Sequence, residues 1–231
     1  MTFPIQEFFR ASNKYFRSIF FRFPVTLVSL LIFNFPASAD PCHDLRDPDL
    51  IIAACTNEIS SGRWKGSKNS VNYNNRGNAY DTKGNFAEAI ADYNQAIALD
   101  PGNAIYYLNR GWAYGHRGLT TKSKSYYDHS ILDFNQSIAI SPNNALAYSR
   151  RGIVLKNKGE IDRAINDQNR AISINPKLVE AYIARGSAYD AKGDHGRAIA
   201  DYDKAIVLDP KNVGAQLARD ADAYLKELED Q

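Results

Sequence analysis

The stretch NRGNAYDTKG (75–84) returns three more times, as NRGWAYGHRG (109–118), RRGIVLKNKG (150–159) and ARGSAYDAKG (184–193). A second phrase follows each copy: AIADYNQAIALDP (89–101), SILDFNQSIAISP (130–142), AINDQNRAISINP (164–176) and AIADYDKAIVLDP (198–210). The glycines Gly77, Gly111, Gly152 and Gly186 stand 34, 41 and 34 residues apart. A period of this size marks stacked supersecondary units, each too small to bury its apolar face alone. Within a unit, packing residues recur at helical spacing: Tyr73, Arg76, Gly77 and Tyr80, then Ala89, Ile90, Tyr93, Ala96 and Ile97. Gly84, Gly118, Gly159 and Gly193 read as turns between two helices, and Pro101, Pro142, Pro176 and Pro210 end the second helix. The small residues Gly77, Ala89 and Ala96 let paired helices approach, while Tyr80 and Tyr93 fill the space beside them. The period therefore predicts an all-α solenoid of antiparallel helix pairs.

These positions resemble the tetratricopeptide repeat, a 34-residue unit with an aromatic–Gly–Tyr group, then Ala, an aromatic residue and Pro. The resemblance covers 70–212 as four repeats: 70–103, 104–144, 145–178 and 179–212. The second is longer by seven residues within LTTKSKSYYDH (119–129), close to two helical turns, so its packing register is kept. Its second helix is expected to start near Ser123 or Ser125, with Lys122 and Lys124 on a basic tip. In the third repeat Leu155 replaces the Tyr of Tyr80, Tyr114 and Tyr189, and Gln168 replaces the ring of Tyr93, Phe134 and Tyr202. Both ends read as caps. LIIAACTNEI (50–59) aligns with EAIADYNQAI (88–97), which makes 40–69 an N-terminal cap or degenerate half-repeat. At the other end 213–231 is expected to be a C-terminal capping helix, with charges on its outer face.

The N-terminus reads as an export signal, 1–39. A basic stretch ends at Arg22, the apolar run FPVTLVSLLIFNF (23–35) follows, and ASA (37–39) precedes Asp40. The run is shorter than the ~20 residues a membrane-spanning helix needs. Cleavage after Ala39 and a soluble exported chain are expected, with an uncleaved membrane tether as the alternative. Repeats with this NRG…AIADY wording resemble bacterial ones, which implies a periplasm. Four of the 28 basic and one of the 26 acidic residues lie in 1–39, leaving 24 and 25. That balance offers no basic stripe for nucleic acid.

Cys42 and Cys55 are the chain's two cysteines, and in an oxidising compartment they are expected to form a disulfide. With His43 they make at most three irregularly spaced ligands, so no metal site is expected. His116, His129 and His195 are scattered, and no HExxH, phosphate loop or Gly-x-Ser-x-Gly elbow is present. No catalytic residue and no cofactor are expected, and the chain is read as a non-enzyme.

The resemblance implies a concave groove lined by the first helix of each repeat. Carried over, it is lined by Asn74, Asn75, Asn78 and Asp81, then by Ile105, Leu108, Asn109, Trp112 and His116. The third repeat adds Leu146, Ser149, Arg150, Ile153 and Lys156, and the fourth adds Glu180, Ile183, Ser187 and Asp190. An apolar middle of Leu108, Trp112, Ile153 and Ile183, beside Asn75, Asn78, Asn109 and Arg150, suits an extended peptide or partner helix. Some family members clamp a partner's C-terminal carboxylate. Asn78, Asn109 and Arg150 match three positions of that clamp, while Asn74 and Leu146 stand where its lysines would be. The expected function is a scaffold for an envelope or secreted protein. The alternative is a structural or assembly role through the outer surface or self-association.

Overall fold

The computed structural model describes Cys42 and residues 45–229. The expected signal segment, 1–39, lies outside the described residues. The described residues form ten helices and no strand: α1 (Pro48–Ser60), α2 (Ser67–Thr82), α3 (Phe86–Leu99), α4 (Ala104–Thr121), α5 (Lys124–Ile140), α6 (Ala145–Lys158), α7 (Ile161–Ile174), α8 (Val179–Asp190), α9 (His195–Leu208) and α10 (Val213–Glu229). Consecutive helices pack on each other, and so do the successive first helices α2, α4, α6 and α8.

Local chemistry sets these helices. Asn103 and Asn144 cap α4 and α6 by accepting from the Ile105 and Ala147 amides, and Asp47 caps α1. Gly84, Gly159 and Gly193 turn the chain with φ of 76°, 94° and 75°, values that cost a side-chain-bearing residue dearly. Between the helices of a pair, contact is tight. A Cβ on Gly77 would lie 2.7 Å from the Tyr93 ring, and one on Gly186 would lie 2.8 Å from the Tyr202 ring. In the third repeat Gln168, 1% exposed, replaces that ring and donates to the Ser149 carbonyl at 2.8 Å.

The insertion corrects one expectation. Helices α4 and α5 are 18 and 17 residues long, against 14 each for α6 and α7, so the seven extra residues are shared between both helices. Gly118 is therefore no turn. It lies within α4 under Tyr127, whose ring a Cβ would approach to 2.6 Å, and the turn moves on to Lys122 at φ 54°.

A recurring polar contact ties the units together. Arg76, Arg110, Arg151 and Arg185 each grip one aspartate of their own second helix through Nε and Nη2, at 2.6–2.8 Å: Asp92, Asp133, Asp167 and Asp201. The remaining nitrogen Nη1 reaches the preceding unit, donating to Thr56, Asn94, Asn135 and Asn169 respectively. The rigid guanidinium fork suits this double duty, and no lysine reproduces it. Thr56 serves Arg76 as Asn94 serves Arg110, so α1 holds toward α2 the place of a second helix.

At the N-terminal end, Cys42 and Cys55 are joined by a disulfide with Cα atoms 4.8 Å apart, both almost fully buried. At the other end, α10 departs from the expected charged outer face. Val213, Leu217, Tyr224 and Leu228 are 50–66% exposed, one apolar stripe opposite the side that buries Ala215 and Asp222. Charges sit on its flanks instead. Arg219 reaches Asp203 and Asp220, and no following helix is present among the described residues to complete its fork.

Asp133→Ala is expected to cost about 3 kcal/mol in urea unfolding, because it strands a largely buried guanidinium. Asp162→Ala, which removes an exposed pair with Lys192, is expected to cost less than about 1 kcal/mol. Equal effects would show that the forks carry no special role. Reducing the disulfide, which spans a sequence separation of 13, is expected to remove about 3 kcal/mol. A melting curve unchanged after complete reduction would contradict this.

Candidate functional site

The first helices α2, α4, α6 and α8 carry the expected groove residues, and the structure divides those residues three ways. Leu108 is 5% exposed and packs in the central core with Tyr127, Ile131, Phe134 and Val154, so it is not a groove residue. Asn74 and Ser149 are buried as well. All three hold the same place in their repeats, so that position points inward in each of the first three units, and Leu108 meets Tyr127 and Ile131 of α5 there.

A second group forms a polar cluster around Trp112. The indole packs half-buried on the core, with the Arg150 guanidinium 4.7 Å above its ring and the His116 ring 4.6 Å away. Trp112 is therefore a platform for Arg150 rather than an open anchor. Asn109 donates to Asn74 and Asn78, and the Tyr93 hydroxyl also donates to Asn78 Oδ1 at 2.8 Å. Asn75 turns toward the Cys42 carbonyl, 3.5 Å away, beneath the N-terminal turn. Asp81 Oδ1, Arg150 Nε and Glu180 Oε1 are buried with no hydrogen-bond partner among the described residues. Burial lowers the Arg150 guanidinium, against the opposing pull of Glu180 and Asp81. Burial likewise raises the Glu180 carboxyl, although Arg150 resists.

The third group is open. Ile153 and Lys156 of α6 face Val179, Glu180, Ile183, Ala184 and Ser187 of α8 across a cavity of about 410 Å³. Asp209 and Asn212, from the α9–α10 turn, close one end. Lys156 is fixed by its hydrogen bond to Ser187, at 2.7 Å. Its walls are mainly apolar with a few polar groups at the edge, the usual character of a binding pocket. Ile153 and Ile183 thus line one cavity, and Trp112 and Leu108 do not line it.

Family models described as tetratricopeptide repeat match residues 72–103 and 179–212, and a second model of the same description matches 134–166. These are tetratricopeptide repeats. Repeats of this kind mediate protein–protein interaction and are generally non-catalytic. The tetratricopeptide-repeat protein TTC0263 of Thermus thermophilus superposes with a TM-score of 0.66, at 17% identity, over 77% of this chain and 91% of that one. YrrB, described as a repeat protein with an unusual peptide-binding site, gives 0.55 at 19% identity over 75% and 84%. At such identities the likeness concerns the fold. The first repeat domain of Spaghetti (RPAP3), bound to the HSP90 peptide SRMEEVD, gives 0.50 at 26% identity, over 56% of this chain and 97% of that one. No curated protein matches the sequence significantly.

Glu180 yields a pH-dependent expectation. Its folded-state carboxyl is raised, so ionisation costs stability as pH climbs above the unfolded carboxyl value of about 4.3. Glu180→Gln is therefore expected to melt higher than the wild type at pH 7, with the difference vanishing at pH 4. A gap that is the same at both pH values, or of opposite sign, would contradict this.

Proposed function

We propose that this tetratricopeptide array is a non-catalytic scaffold that holds an extended peptide, or a helix, of a partner protein on its concave face. The observation that carries this reading is the open cavity between Ile153 and Ile183. It has room for one or two apolar side chains, while Glu180, Asp209 and Asn212 offer polar groups at its edge. The groove continues in sequence register. Leu217 follows Ile183 by 34 residues, one repeat length, and is 66% exposed.

The recognised segment is internal rather than a free C-terminus. Asn109 donates its amide nitrogen to Asn74 and Asn78, and the Asn78 carbonyl accepts from Tyr93 as well. The charge of Arg150 is already answered by Glu180 and Asp81. A carboxylate placed there would meet those two acids and find too few cations to offset its desolvation. The Cys42–Cys55 bridge supports an exported, periplasmic setting, because such bonds persist in oxidising compartments. Among the described residues no helix is long and apolar enough to cross a membrane. A second reading, assembly by self-association, draws on the exposed stripe of Val213, Leu217, Tyr224 and Leu228.

The test is to select peptides from a random display library on the protein, then titrate them by fluorescence anisotropy. Ile183→Arg is expected to weaken them at least tenfold, about 1.4 kcal/mol, with helical content unchanged. Peptides that bind both chains alike would place recognition elsewhere. Concentration-dependent dimers abolished by Leu217→Glu, with no selectable peptide, would favour the assembly reading.

A further inference from the structure

Away from the groove cavity, Asp190, His195 and Asp222 meet from three elements: Asp190 ends α8, His195 opens α9 and Asp222 lies within α10. His195 Nδ1 is 2.8 Å from Asp222 Oδ1 and 3.5 Å from Asp190 Oδ1. One donor atom from each of the three lies within 4.8 Å of the other two. Asp222 is 3% exposed, and its second oxygen, Oδ2, has no hydrogen-bond partner among the described residues.

Two carboxylates this close repel, and burial deprives one of them of water. Burial pushes the Asp222 carboxyl up, and Asp190 adds to this while His195 opposes it. A proton on the imidazole offsets one negative charge and serves Oδ1, but leaves Oδ2 unanswered. A doubly charged cation among the three groups offsets both carboxylates and accepts the imidazole lone pair.

We propose that Asp190, His195 and Asp222 bind one divalent transition-metal cation of the zinc class. The donor set sorts among metals. An imidazole with carboxylates suits zinc, cobalt, nickel or manganese, whereas magnesium and calcium prefer oxygen ligands alone. Tetrahedral ligand bonds of roughly 2.0–2.2 Å hold donor atoms about 3.4 Å apart, so a separation of 4.8 Å must close by about 1.4 Å. Asp190 is 45% exposed in its side chain and at a helix end, so it can make that movement. Three protein ligands leave the remaining positions to water. Because the ligands span α8, α9 and α10, the bound ion clasps the terminal helix to the last repeat.

Chelator-treated full-length protein titrated calorimetrically with zinc chloride is expected to take up one ion per chain. At a hundredfold excess over Kd, zinc is expected to raise the melting temperature by about 5–10 °C, reversibly with chelator. Magnesium is expected to do neither. Asp222→Asn and His195→Ala should each weaken zinc at least tenfold, while His116→Ala should leave it unchanged. If those two variants fail to fold, the exposed Asp190→Asn serves in their place, with the same tenfold expectation. Absence of a zinc isotherm, or equal binding by wild type and all ligand variants, would overturn the assignment.

Discussion

Four guanidinium forks fix how this array is put together. Each arginine binds its own unit's aspartate with two nitrogens and the preceding unit with the third. A buried pair of this kind adds little net stability over apolar packing, but it tolerates few alternative geometries. Apolar helices slide past one another at small cost, whereas a bidentate fork has one register. Tight packing at Gly77, Gly152 and Gly186 then sets how deeply paired helices approach, and the forks set where they stop along their length.

The face formed by α2, α4, α6 and α8 inherits its chemistry from that frame. With one arginine per repeat engaged in the forks, Arg150 is the further cation beside Trp112, and the acids Asp81 and Glu180 surround it. The Asn78 carbonyl and the Asn109 amide nitrogen are likewise occupied by neighbours. What remains available is the apolar gap between α6 and α8, where Ile153 and Ile183 have no side chain between them. Recognition on such a surface rests on shape and apolar burial more than on net charge.

The period made the helices and their order legible, because each repeat restates the same packing chemistry. The forks were hidden although Arg76 and Asp92 both lie in the recurring phrases. Their partnership crosses a turn over 16 residues, and helical periodicity reports only neighbours three or four apart. Leu108 is a related case. Register assigns it to the groove, but Tyr127, Ile131 and Phe134 pack with it, and the same repeat position is buried at Asn74 and Ser149. Gly118 looked like its counterparts at turns until the lengthened α4 carried it into a helix. The outer face of α10 was misjudged because its charges lie on the flanks of an apolar stripe rather than upon it. His195 looked isolated because its partner Asp222 lies 27 residues away on another helix.

The two ends of the array are unequally fastened. A covalent bridge ties the segment at Cys42 to α1, and Asn75 of α2 donates to the Cys42 carbonyl, while the last helix depends on packing, the exposed contacts of Arg219 and the His195–Asp222 hydrogen bond. Unfolding in a nearest-neighbour array starts where coupling is weakest, so fluctuation concentrates at the C-terminal end. Asp209 and Asn212, which close the cavity, belong to the turn just before that last helix. Occupancy of the cavity and order of the tail are therefore linked populations. A ligand that touched Asn212 would select the ordered tail, and anything that loosened α10 would lower its affinity without touching it.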